Sequence, residues 1–170
     1  MANTQQDILS VPLPQNAHRW AKEFASQQDN PQKGKQVYLN TLAVYAVHSY
    51  LKWLNIETAL NQGDSWKSGL RAIFDVADLV LPGVGKLECR PVLPGEAAIV
   101  LPPTMTQERI GYVGVQFSQQ LDYVELLGFL PAREMAESPA ILQITQLQSF
   151  DSLFEIIQMR SPLALAQPSL

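Results

Sequence analysis

The sequence has little cysteine, little charge and no long hydrophobic run, and each shortage excludes a class of protein. Its 170 residues include one cysteine, Cys89, so no intramolecular disulfide can form. Charged residues make up 16 % of the chain, compared with roughly 25 % in an average soluble domain. Apolar stretches such as 97–103 are far shorter than the ~20 residues of a membrane-spanning helix. The first residues also lack the basic and then apolar pattern of a secretion signal. We therefore expect a cytoplasmic protein that does not enter a membrane.

Positive charge is scarce in the second half of the chain. The whole sequence has 12 Lys or Arg and 16 Asp or Glu, which gives a formal charge of −4. Residues 91–170 hold eight acidic residues and only three basic ones, which are Arg109, Arg133 and Arg160. An acidic half repels phosphate groups, so we do not expect nucleic-acid binding.

Two helices are predicted near the start of the chain. Apolar residues recur at spacings of three and four over 15–28, which indicates an amphipathic helix. Asn30 and Pro31 then supply a helix cap and a first helical residue that needs no N–H donor. The helix that starts there should continue to about Leu54. Because it is apolar on nearly all sides from Val37 onward, we expect it to be the central packing element.

The later residues predict strands and a last helix. The turn 82–85 separates two arms of a β-hairpin, and further strands are predicted over 98–101, 111–117 and 123–130, with a last one over 141–147. The fold class that we predict is α+β, with two N-terminal helices packed on an antiparallel β-meander of about five strands and a C-terminal helix. We expect one domain over residues 1–160 and a loosely held tail over 161–170.

Cys89 and His48 are the residues that could form a nucleophile and base pair. A hydrolase-like enzyme or small-ligand binder would need these side chains within hydrogen-bond distance of each other. His48 lies on the long predicted helix, where a half-buried, hydrogen-bonded histidine is more usual. Cys89 lies on a predicted strand without a helix N-terminus to lower its pKa. We therefore expect both residues to be structural, with catalysis by this pair as the alternative.

Metal and phosphate sites are not indicated by the spacing of the candidate residues. The carboxylates Asp75, Asp78 and Glu88 do not match the ligand spacing of a calcium loop, and no Cys and His cluster suggests zinc. The glycines of the predicted turns are not followed by the Lys and Ser or Thr of a phosphate-binding loop. We expect no metal and no cofactor.

The predicted hairpin brings charged residues together at Glu88, Arg90 and Glu96. An arginine that pairs with a carboxylate there would form either a recognition patch or a structural ion pair on the outer face of the sheet. We take these three residues as the candidate binding residues. Five aromatic residues could line a pocket, but their spacing favours the core: Tyr38, Tyr45, Trp53, Trp66 and Tyr112.

Four segments of the sequence resemble a cyanobacterial family that is catalogued as a domain of unknown function, number 1822. They are 36–47 (QVYLNTLAVYAV), 75–79 (DVADL), 85–96 (GKLECRPVLPGE) and 109–113 (RIGYV). The resemblance covers about residues 10–155. It implies a cytoplasmic protein without an assigned activity, whose relatives often lie near signalling or regulatory genes. Members are often longer, so a C-terminal module is expected in some of them, and the family supplies no catalytic residues.

These observations favour a non-catalytic adaptor or regulatory domain that binds another protein. The sequence carries no catalytic signature, and a surface with few charges leaves apolar patches available for contact. A protein partner is therefore expected. Nucleic acid and membranes are not expected as partners.

Overall fold

The computed structural model describes residues 9–102, 109–135 and 141–161. Within these ranges the chain forms four α-helices and seven β-strands, so the predicted α+β class is confirmed. The predicted tail beyond Ser161 lies outside the described residues. In chain order the elements are β1 (Leu9–Pro12), α1 (Gln15–Ser26), α2 (Pro31–Trp53), α3 (Ser68–Ile73), β2 (Asp78–Leu81), β3 (Gly85–Val92), β4 (Ala98–Val100), β5 (Gly111–Phe117), β6 (Tyr123–Pro131), β7 (Ile141–Gln143) and α4 (Asp151–Arg160).

The start and the end of α2 are each explained by local hydrogen bonds and backbone conformation. The side chain of Asn30 accepts a hydrogen bond from the backbone N–H of Lys33 at 2.8 Å, which confirms the predicted cap of α2. After Trp53 the helix ends because Asn55 adopts a left-handed conformation, with φ of 59°, and the N–H of Ile56 turns back to the carbonyl of Leu51. Ten residues of α2 are buried, so it is the central packing element that the sequence predicts.

The main sheet is mixed, and the prediction of an antiparallel meander is wrong. Its strand order is β1-β6-β5-β3-β2, in which β3 and β5 run parallel while the other neighbours run antiparallel. A parallel pair needs a crossover connection rather than a hairpin. Here the connection from β3 to β5 passes through β4, which belongs to a different sheet.

A second sheet of two strands, β4 and β7, packs on one face of the main sheet. Its Ile99 and Leu142 lie opposite each other and join a hydrophobic cluster with Val92 and Leu130 of the main sheet. The prediction of a strand over 141–147 holds only for Ile141–Gln143, because a 3-10 turn follows.

The larger hydrophobic cluster lies on the other face of the main sheet, beneath the helices. Val113, Val115 and Phe117 of β5 are buried there, as their alternation along the strand predicts. They share this cluster with residues of α1, α2 and α4. The main sheet is therefore covered by helices on one face and by the small sheet on part of the other.

Candidate functional site

The hairpin of β2 and β3 places two of the three predicted charged residues, Glu88 and Arg90, inside the protein. Glu88 and Arg90 are two residues apart on β3, so their side chains leave the same face of the sheet. Asp78 lies directly opposite Glu88 on β2. Asp78 and Glu88 are fully buried and Arg90 is 6 % exposed. The expectation that these charges lie on a solvated outer face is therefore wrong.

Glu88 is the centre of this group of charges. One carboxylate oxygen accepts hydrogen bonds from Arg90 Nη1 and from the backbone N–H of Ala77, both at 3.2 Å, and the other accepts from Arg109 Nε at 2.9 Å. Arg90 Nη2 also donates to both carboxylate oxygens of Asp75, at 2.9 and 3.0 Å. Burial alone lowers the pKa of Arg90, but Asp75 and Glu88 outweigh it and raise that pKa. Arg90 therefore stays charged.

Asp78 is held as a buried carboxylate by a neighbouring turn. Its two oxygens accept the backbone N–H groups of Asp64 and Ser65 at 2.9 and 2.7 Å, and Lys86 Nζ lies 3.4 Å away. Burial raises the pKa of Asp78, but these N–H groups and the charges of Arg109 and Lys86 outweigh burial and lower it. We call Asp75, Asp78, Lys86, Glu88, Arg90 and Arg109 the buried ion cluster.

Glu96, the third predicted binding residue, lies apart from the buried ion cluster. It is exposed in the turn after β3, where its backbone N–H donates to the carbonyl of Leu93. Among the ion pairs of the described residues, none joins Glu96 to Arg90. The structure therefore brings together two of the three candidate binding residues, and these two are shielded from solvent.

Cys89 and His48 have separate structural surroundings. Cys89 is fully buried in the larger hydrophobic cluster, and burial together with the charges of Glu88 and Asp78 raises the pKa of its thiol well above the usual value. His48 is half-buried, its Nδ1 is hydrogen-bonded to Thr58 Oγ1, and burial and Lys52 lower its pKa. Among the hydrogen bonds of the described residues, none joins Cys89 to His48. These surroundings favour the structural interpretation of both residues.

The thiol of Cys89 should not react with reagents while the protein is folded. We expect dithionitrobenzoate to modify it about a thousandfold more slowly in the native protein than in urea, because modification requires unfolding. Absorbance of the released thiolate measures both rates. Similar rates under the two conditions would show an accessible thiol and revive the catalytic interpretation.

The described part of the chain has no cluster of metal-binding side chains and no membrane-spanning helix. No three His, Cys, Asp or Glu residues there are placed to hold a metal ion. The carboxylates of Asp75, Asp78 and Glu88 instead face arginine or lysine side chains or backbone N–H groups. No helix in the described ranges is long and apolar enough to cross a membrane.

An exposed tryptophan stands at the end of the central helix. Trp53 is 74 % exposed, so the expectation that it belongs to the core is wrong. It lines a cavity of about 210 Å³ together with Ser49 of α2 and Val11, Pro12 and Pro14. We call these five residues the Trp53 groove. Leu54, the next residue, is 43 % exposed and extends the apolar surface at the end of α2.

Comparison with protein-family models gives one assignment. The model of a protein family of unknown function, DUF1822, matches residues 11–169. The chain belongs to this family. Searches of the curated proteins and of the solved structures gave no match. The DUF1822 assignment confirms the resemblance found in the sequence, and it carries no activity with it.

One feature of the buried ion cluster in this DUF1822 chain could not be read from strand patterns alone, whereas another could have been. Arg109 reaches Glu88 because β5 pairs with β3 in parallel, with Leu87 opposite Gly111, and that pairing is not local. The pairing of Asp78 with Glu88, in contrast, follows from the register of the hairpin. A register count from the turn 82–85 would have placed these two carboxylates side by side.

Proposed function

We propose that this protein is a non-catalytic interaction domain, with an adaptor or regulatory role, that binds an acidic segment of another protein at the Trp53 groove. The observation that carries the proposal is the exposure of Trp53 on a helix whose other large apolar residues are mostly buried. Tryptophan is enriched among the residues that dominate binding energy at protein interfaces. A tryptophan beside a small apolar groove suits the insertion of one apolar side chain.

Charge supports an acidic partner. Residues 9–54, which form β1, α1 and α2, hold five Lys or Arg and two Asp or Glu, although the whole chain is at −4. No acidic residue lies on α2. The layer that carries Trp53 is thus the positive part of an acidic protein, and it attracts a negatively charged segment while it repels the same positive layer of another copy.

The edge of the sheet beside the groove favours side-chain insertion over addition of a strand. Leu13 donates its backbone N–H to the carbonyl of Asp122, on the side of the neighbouring strand β6. Because backbone N–H groups alternate in direction along a strand, the backbone nitrogens of Ser10 and Pro12 point away from β6, toward the open edge. Pro12 has no N–H to donate, so this edge is poorly suited to bind another strand.

Replacement of Trp53 by serine should weaken partner binding about thirtyfold, the loss typical of a dominant interface residue. The probe is a displayed peptide library, from which we expect the full chain to select sequences with an aromatic or aliphatic anchor flanked by Asp or Glu. Fluorescence anisotropy with a selected peptide then measures affinity. The matched control is Ile73→Ser, which removes an apolar side chain that is 72 % exposed elsewhere.

Several results would overturn this proposal. One is equal binding by the Trp53→Ser and Ile73→Ser variants, and another is selection of basic peptides. A dimer in sedimentation that Trp53→Ser dissociates would identify a second copy as the occupant. Salt-sensitive retention on nucleic acid that is lost in the same variant would replace the protein partner by a nucleic acid.

The cytoplasm is the compartment that we propose for this interaction. Support comes from the lone, fully buried Cys89, which fits a reducing environment.

The raised pKa of the Cys89 thiol and the hydrogen bond of His48 to Thr58 support a non-catalytic role over the alternative of a thiol enzyme.

A further inference from the structure

A second cavity, of about 160 Å³, lies between α4 and the start of β5. Its wall contains Arg109 just before β5, Arg133 in the turn after β6, and Arg160 at the end of α4. Ile156 and Met159 of α4 supply the apolar part of the wall. We call these five residues the arginine cavity. None of them belongs to the Trp53 groove.

The arginine cavity collects all the basic residues of the second half of the chain. Residues 91–170 hold three Lys or Arg against eight Asp or Glu, and these three arginines all line it. Among the described residues that line the cavity, none is acidic. Glu134, the chain neighbour of Arg133, accepts a hydrogen bond from Gln148 at 3.1 Å. The cavity is therefore a local concentration of positive charge on an acidic protein.

The three arginines have different freedom to contact a ligand. Arg109 is nearly buried and donates its Nε to Glu88, so it contributes to the rear wall. Arg160 donates Nη1 to the carbonyl of Val84 at 3.0 Å, which fixes its position without cancelling its charge. Arg133 is exposed at the opening. Guanidinium groups remain charged and present several N–H donors in a plane, which matches the oxygens of a carboxylate or phosphate.

Cavity size and apolar wall restrict the ligand further. At about 30 Å³ per water molecule, the cavity has room for about five waters, so it can enclose one oxyanion group and a few carbon atoms but not a whole nucleotide. Met159 is 79 % exposed beside the arginines and offers an apolar contact to those carbon atoms.

We propose that the arginine cavity binds a small ligand in which one oxyanion group, a phosphate or a carboxylate, is attached to a short aliphatic chain. The oxyanion contacts Arg133 and Arg160, and the chain packs on Ile156 and Met159. This inference goes beyond the proposed protein-binding function and does not depend on it, because the two surfaces share no residue.

Nuclear magnetic resonance titration of the full chain tests the proposal. Butyl phosphate and hexanoate distinguish the two oxyanions, while inorganic phosphate and butanol test the head group and the chain separately. We expect saturable shifts of the arginine Nε–H and Met159 methyl signals with one or both amphiphilic anions, weaker binding of inorganic phosphate, and none of butanol. Absence of a saturable shift with both amphiphilic anions would overturn the proposal, as would binding of butanol.

Substitutions in the arginine cavity test whether these residues bind the ligand. Arg133→Gln and Arg160→Gln should each weaken binding about tenfold, whereas Arg19→Gln, which removes an exposed positive charge from α1, should leave it unchanged. Met159→Ser should weaken binding of the amphiphilic anion and leave that of inorganic phosphate unchanged. Equal losses in Arg19→Gln and the cavity variants would show a non-specific charge effect and overturn the assignment.

Discussion

Replacing Glu88 by glutamine should lower the free energy of unfolding by about 3–5 kcal/mol, the cost typical of removing one partner from a buried ion pair. Glu88 is fully buried between Arg90 and Arg109, and it bonds both of them. Glutamine keeps the size of the side chain but removes its charge. The positive charges of the two arginines then lose the carboxylate that compensates for their removal from water. Urea unfolding followed by circular dichroism measures the change.

Glu96→Gln is the matched control for this substitution. It removes the same charge four residues after Val92, but from an exposed turn, so the free energy of unfolding should change by no more than about 0.5 kcal/mol. The double variant Glu88→Gln with Arg109→Gln should lose less free energy of unfolding than the sum of the two single losses. Both substitutions break the same contact, between Glu88 and Arg109. A loss of under about 1 kcal/mol in Glu88→Gln, or full additivity, would contradict the role of the cluster.

The helices and hairpins could be predicted because their signals are local. The Asn30 and Pro31 pair marks the start of α2, and the turn 82–85 marks the hairpin of β2 and β3. Each signal involves residues that are neighbours in the chain, so no knowledge of the tertiary structure is needed. The parallel pairing of β3 with β5 has no such signal, because its partners are joined by a long connection through another sheet.

The candidate site was harder to predict than the fold because burial is a tertiary property. Alternation along β3 correctly places Glu88 and Arg90 on one face, but it does not tell whether that face is covered. A charged residue on a strand usually faces solvent, and here partners from elsewhere in the chain, including Asp75 and Arg109, allow it to be buried. Trp53 shows the opposite error, since its helix is mostly buried but its own position at the end of that helix is exposed.

Replacing Gly128 by alanine should lower the free energy of unfolding by about 3–5 kcal/mol, as the sum of backbone strain and lost hydrogen bonds. Gly128 has φ of 140°, a conformation that side chains rarely adopt, at the point where the register of β5 and β6 shifts. A Cβ atom there would lie 2.3 Å from the carbonyl oxygen of Gln148. That carbonyl accepts the N–H of Phe129, and Gln148 donates back to Phe129, both at 2.9 Å. An alanine at position 128 therefore pushes the segment before α4 away from β6 and breaks the two hydrogen bonds between Gln148 and Phe129.

The same substitution at Gly69 provides the control for Gly128→Ala. A Cβ atom at Gly69 meets nothing within 4 Å, and the residue lies within α3, where alanine is favoured over glycine by about 0.5–1 kcal/mol. Gly69→Ala should therefore be neutral or slightly stabilising in thermal and urea unfolding, while Gly128→Ala lowers both midpoints. If the two alanine variants have equal stability, the backbone at Gly128 is not under the constraint described, and the contact between β6 and the segment before α4 does not depend on a glycine.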